Sequence, residues 1–241
     1  MKRAALLGIA LCIAAGASAQ WGKKVKGNGN MVAMERSTGD YEAIAVSGSF
    51  EVELVAGEEG TVTVNAEENL QEWIITEVKN GTLQIKIKDG VNIQPSIWKS
   101  GMSVTVPVED IEAVSLSGSG EIIGKTPLRA TEFSASMSGS GDVWLEVVSD
   151  EVTANMSGSG DMDLKGSAGR FNVQISGSGD IKAYELEAQE VDASISGSAD
   201  IEITVRETLT ARVSGSGNIT YRGNPGKIDS KSVGSGDISK G

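Results

Sequence analysis

A carboxylate or amide recurs about every nineteen residues. Glu121, Asp142, Asp161, Asp180, Asp200, Asn218 and Asp237 each stand three places after a glycine that opens a Gly-Ser pair. Carboxylates in a row are hard oxygen ligands, so Asp142, Asp161, Asp180 and Asp200 are a candidate ladder for weakly held Ca²⁺. Stacked about 4.8 Å apart, neighbouring charges would repel by roughly 0.9 kcal/mol in water, so something must offset them. Besides calcium, the local answer is hydrogen bonding, since Asp accepts from backbone N–H and serine hydroxyls in tight turns. Asp161 with Asp163, and Glu185 with Glu187, are pairs of the kind used in glycoside hydrolysis. Acids at i and i+2 are equally the ordinary solvent face of a strand. The chain has no His and one Cys, Cys12. The usual general base, zinc ligand and thiolate are therefore scarce, and no catalytic residue is assigned. Trp144 is a candidate ligand platform, because an outward aromatic ring can stack on a sugar. Trp73, Trp98 and Tyr184 could join it or could cover a seam between sections.

The elements that would position these residues follow from the repeat. Gly48, Gly118, Gly139, Gly158, Gly177, Gly197, Gly215 and Gly234 each begin a Gly-Ser pair. Six, four and two places before the glycine the residues are mostly apolar, as in Phe171, Val173 and Ile175. The same parity resumes after it, as in Ile181 and Ala183. Strict alternation is a strand signal, and here its phase survives the glycines. Both glycines of the motif are expected to point inward and to mark a recurring corner. A unit this short cannot bury its apolar face alone, so neighbouring units must stack on a shared core. The expectation is an all-β parallel β-helix or β-solenoid with rungs of about nineteen residues, right-handed by the general preference of parallel crossovers.

Four sections are expected. Residues 1–19 read as a secretory signal: Lys2 and Arg3, an apolar run, then Ala17-Ser18-Ala19, with cleavage before Gln20. Bulky Leu11 ahead of Cys12 disfavours a lipoprotein signal. Residues 20–110 form a β-rich section in which Gly48 carries the phase of one rung and Asn80-Gly81 marks a hairpin between alternating runs. Residues 111–225 form the regular solenoid. Residues 226–241, with Ser230 and Ser232 at inward places, read as a frayed polar cap.

Charge limits the partners. The chain carries 33 acidic against 21 basic side chains. Nucleic acid and anionic lipid surfaces both select Lys and Arg clusters, so neither is expected. No run beyond the first is long enough to insert in a membrane. An exported location is expected: periplasm, outer-membrane surface or extracellular.

A family resemblance rests on Tyr41-Glu-Ala-Ile-Ala-Val-Ser-Gly-Ser-Phe-Glu-Val-Glu-Leu, Val62-Thr-Val, Glu68-Asn-Leu, Thr76-Glu-Val-Lys-Asn-Gly-Thr-Leu and Val114-Ser-Leu-Ser-Gly-Ser-Gly. In this order they resemble the secreted head GIN domain family, auto-transporter adhesins common in Bacteroidetes, over roughly residues 30–222. The resemblance implies a β-helix-like, exported or envelope protein and supplies no catalytic residues. The function expected is a non-catalytic surface or periplasmic interaction module, adhesive toward a protein or glycan on a cell surface. No cofactor beyond weak Ca²⁺ is expected, and the solenoid ends could join copies into a homo-oligomer. The alternative is a polysaccharide-active β-helix enzyme, a glycosidase or lyase working with carboxylates.

Overall fold

The computed structural model describes residues 22–96 and 101–241. The segment 1–19 expected to be a signal, with Cys12, and Trp98 lie outside them. The described chain is nearly all strand and winds into a β-solenoid of about seven turns with coils of about nineteen residues.

In the array the coils follow chain order. β10 (Ala113–Gly118) and β11 (Glu121–Gly124) lie beneath β12 (Leu128–Gly139) and β13 (Asp142–Gly158), followed by β14 (Asp161–Gly177), β15 (Asp180–Gly197) and β16 (Asp200–Gly215). All pair in parallel, and each glycine sits on the glycine of the coil before it: Gly118 on Gly48, Gly139 on Gly118, Gly158 on Gly139, and so on to Gly234 on Gly215. The inward residues form continuous columns. Val143, Met162, Ile181, Ile201 and Ile219 are buried in one of them, and burying each such side chain contributes about 1.5–3 kcal/mol.

The first glycine of the corner does not point inward as expected. At Gly158 φ is +139°, and an added Cβ would overlap the carbonyl oxygen of Gly139 in the preceding coil. The missing side chain would lie along the stacking direction, so this column needs glycine for backbone sign and for close approach of the coils together. The second glycine is buried as expected; a Cβ on Gly160 would meet the carbonyl of Gly141 and lie 2.9 Å from Met137 Cε.

The N-terminal section extends the same stack, but out of chain order. β3 (Ala43–Gly48) and β4 (Phe50–Ala56) form the rung marked by Gly48. The chain then passes to the far side of that rung through β5 (Gly60–Glu67), a short 3-10 helix (Glu68–Trp73), β6 (Ile74–Lys79), β7 (Thr82–Ile87), β8 (Val91–Gln94) and β9 (Met102–Val108). β7 lies parallel under β3 and β9 parallel under β4. Leu83 therefore stacks on Ile44 and Val104 on Val52, all buried. Only then does β10 land on the opposite face of β3. The expected hairpin joins β6 to β7, with φ of +51° at Asn80 and +75° at Gly81, the paired positive values of a tight type I′ turn.

That end is closed by antiparallel strands. β6 covers β7, β5 covers part of β9, and β2 (Met31–Gly39) covers β5. β1 (Lys23–Lys26) pairs in parallel with β8 as a small separate sheet. Buried and half-buried polar groups pin the closure. Arg36 donates to the carbonyls of Ile74 at 2.6 Å and Gln71 at 2.7 Å and to Gln71 Oε1 at 2.7 Å. Gln71 Nε2 donates at 3.0 Å to the carbonyls of Val32 and Val64. The buried Glu67 carboxylate accepts from the Gly29 N–H, from Ser96 N–H at 2.6 Å and from Ser96 Oγ at 2.8 Å.

Among the described residues, no antiparallel strand covers the other end. Residues 226–241, expected to fray, instead keep the array's register: β18 (Lys227–Gly234) pairs with β16, and β19 (Ile238–Lys240) with β17 (Asn218–Arg222).

Candidate functional site

Two outer faces meet at the glycine corner, and strand alternation sets both. The face that follows it carries the acidic column. There Asp161 N–H donates to Asp142 Oδ1 at 3.1 Å, Asp180 N–H to Asp161 Oδ1 at 3.4 Å, and Asp200 N–H to Asp180 Oδ1 at 3.1 Å. Asn218 donates from its backbone and its side chain to Asp200 Oδ1, both at 2.9 Å. Each short side chain thus caps the next coil's backbone where the corner interrupts the regular ladder. The longer Glu121 makes no such bond, and Asp142 N–H donates to the Gly120 carbonyl instead. Lys182 Nζ lies 3.4 Å from Asp161 Oδ2, and the ammonium is held above its ordinary pKa chiefly by the Asp161 charge. No group of three or more Asp, Glu, His or Cys converges around a metal-sized space among the described residues.

The acid pairs considered for hydrolysis are dispersed among cations. Glu185 pairs with Lys165 at 3.3 Å, Glu187 with Arg206 at 2.6 Å, and Asp161 with Lys182.

Trp144 lies on the acidic face, 38% exposed, between Ile123 and Asp163 of the adjoining coils. The other aromatics are engaged elsewhere. Trp73 ends the 3-10 helix in the N-terminal closure, with Lys23 Nζ 4.1 Å from its ring centre. Arg222 stacks 3.8 Å from the Tyr184 ring centre, an attraction of about 0.5–1 kcal/mol at an exposed site.

The face that precedes the corner carries a feature the alternation did not announce. A groove of about 920 Å³ runs across the coils along β10, β12, β13, β14, β15, β16 and β18. One wall is the serine column Ser117, Ser138, Ser157, Ser176, Ser196 and Ser214, all exposed. The other is Ser115, Ser136, Asn155, Gln174, Ser194, Arg212 and Lys231. The floor between the two walls is formed at Leu116, Met137, Met156, Ile175, Ile195 and Val213. The signal in the sequence was the serine that precedes every corner glycine except Gly234, where Val233 stands, and it was read only as outward-facing.

The stacked coils, glycine corner and N-terminal closure define the class, a parallel β-solenoid with a self-capped end. The chain belongs to the family described as "Putative auto-transporter adhesin, head GIN domain", whose model matches residues 40–225. Its fold is shared with solved structures. A "putative adhesin" from Bacteroides fragilis is 22% identical, with a TM-score of 0.81 over 90% of this chain and 99% of that one. A second from Parabacteroides distasonis is 26% identical, TM-score 0.78, over 91% and 100% of the two chains. A "putative lipid binding protein" from the same organism is 27% identical, TM-score 0.73, with the same coverage. No curated protein matches the chain.

Proposed function

We propose that this chain is an exported, non-catalytic adhesion module of the cell envelope that holds a carbohydrate of a cell surface in the serine-walled groove. The observation that carries this reading is the groove itself: a row of hydroxyls facing a row of hydroxyl and amide groups that ends in Arg212 and Lys231, repeated at the coil spacing. Such a surface matches an extended polymer that offers hydroxyls at regular intervals, and among the described residues no carboxylate lines it. The signal-like pattern of residues 1–19 supports export, and N-terminal sequencing of the processed protein should begin at Gln20.

A glycan array tests the binding. At least one host or bacterial polysaccharide is retained, and Ser176→Trp, which fills the middle of the groove, lowers retention about tenfold or more while leaving the thermal melt unchanged. The same array spotted with long-chain lipids addresses the lipid-binding name of one relative. Retention of lipid alone, or a Ser176→Trp protein that binds as well as the parent, overturns the carbohydrate reading.

A further inference from the structure

The two ends of the coil stack are finished differently. At the N-terminal end, β6 and β5 lie antiparallel on the outermost coil strands β7 and β9. At the C-terminal end, β18 and β19 pair on one edge only, with β16 and β17, and no strand is registered on the other edge among the described residues. β18 is exposed throughout; Ile228 is 47% and Val233 59% exposed. An extended strand with a free edge is a template for another strand.

We propose that the occupant is β18 of a second copy, laid antiparallel about a two-fold axis through Ser230. Charge complementarity selects both the partner and the register. Lys227, Asp229 and Lys231 alternate on the outer face of β18. With Ser230 on the axis, Asp229 faces Lys231 of the second copy, and the pair occurs twice by symmetry. An axis through Asp229 sets Asp against Asp, and one through Lys231 sets Lys against Lys. An axis through Ile228 brings Pro225, which lacks an N–H, into the ladder. Registers displaced by one residue turn the outer face of one strand against the inner face of the other. Asp229 is already held in place by Arg212 Nη2 at 2.6 Å, with Arg212 Nη1 on its carbonyl at 2.8 Å. Lys231 has no ion-pair partner among the described residues of its own chain.

The chain's own N-terminal closure is the precedent, since it shows the coil edge accepting an antiparallel strand on the equivalent face. Lys231 and Val233 also form the last wall of the groove, so pairing would join two grooves into one. That consequence rests on the groove reading; the pairing does not.

Sedimentation velocity over roughly 5–300 µM, with no ligand present, tests the pairing. The parent protein shows a concentration-dependent dimer. Lys231→Asp and Asp229→Lys, each alone, weaken it about tenfold or more, because opposite charges directly across a sheet become like ones. Mixing the two variants restores a dimer, since every facing pair is again of opposite sign. A parent that stays monomeric over the whole range overturns the proposal and leaves the edge to a foreign strand or to none. A dimer indifferent to both variants, or variants that fail to associate on mixing while melting like the parent, overturns it as well. Failure of glycan binding leaves this result untouched.

Discussion

The two ends of this solenoid are made from the same alternating strands, yet they are finished by different physics. The N-terminal end is sealed by polar groups that each satisfy several backbone partners: half-buried Arg36 with buried Gln71, and buried Glu67 with Gly29 and Ser96. The C-terminal end is held by ladder register and one exposed pair, Arg212 with Asp229. A sealed end depends on each buried donor and acceptor, because losing one partner strands the others away from water. An open end depends on no single side chain and stays available for pairing.

The largest expected effect breaks the seal. Arg36→Ala leaves the Ile74 carbonyl and Gln71 Oε1 without this donor and the Gln71 carbonyl with only the Ile74 N–H, and it should cost about 2–4 kcal/mol. Urea unfolding measures the loss, and hydrogen exchange should place it in β2, β5 and β6. A loss spread evenly over the array would mean that the seal does not act locally. Deleting residues 227–241 should cost less, under about 2 kcal/mol, since β18 presents only Ile228, Ser230 and Ser232 inward and so buries little apolar area. A deletion more damaging than Arg36→Ala would reverse the comparison.

The third prediction concerns pH. Arg212 holds the Asp229 carboxyl below the usual carboxylate range, first by hydrogen bonding and then by charge. A depressed folded pKa contributes stability that is present above the unfolded value, about 3.9, and lost as pH falls through the folded one. An NMR titration should find the Asp229 midpoint below that of a free aspartate, with Arg212→Ala moving it upward. An unchanged midpoint in that variant would remove the pair from the account. The smallest effect is that of calcium. With Oδ1 of Asp142, Asp161, Asp180 and Asp200 each bonded to the following coil, millimolar Ca²⁺ against EDTA should raise the melting temperature by no more than about a degree. A larger rise would make the column a metal ladder.

Much of the fold was legible because its signals are local. The apolar alternation around each glycine set which side chains face the core, and Asn80-Gly81 specified its hairpin through backbone sign alone. The local account of the acidic column was legible for the same reason, since Asp habitually bonds nearby N–H groups. β7 and β9 were harder to see as a coil. Their partners Ile44 and Val52 lie in strands that precede them by some forty to fifty residues, with no glycine corner between β7 and β9 to mark the turn. The groove escaped notice because a serine at an outward place signals only exposure. Its concavity depends on how neighbouring coils align. Trp144 was placed outward correctly, but whether other rings join it depends on which coil carries each ring.

By itself, the sequence determined the period, the inward and outward faces, the glycine column and the hairpin, because each depends on backbone geometry within a few residues. Tertiary structure decided which coil lies on which, that the chain doubles back past its first rung, and that one end is sealed while the other is open. Those outcomes depend on pairings between strands distant along the chain, whose apolar phases are alike and so do not name their partners.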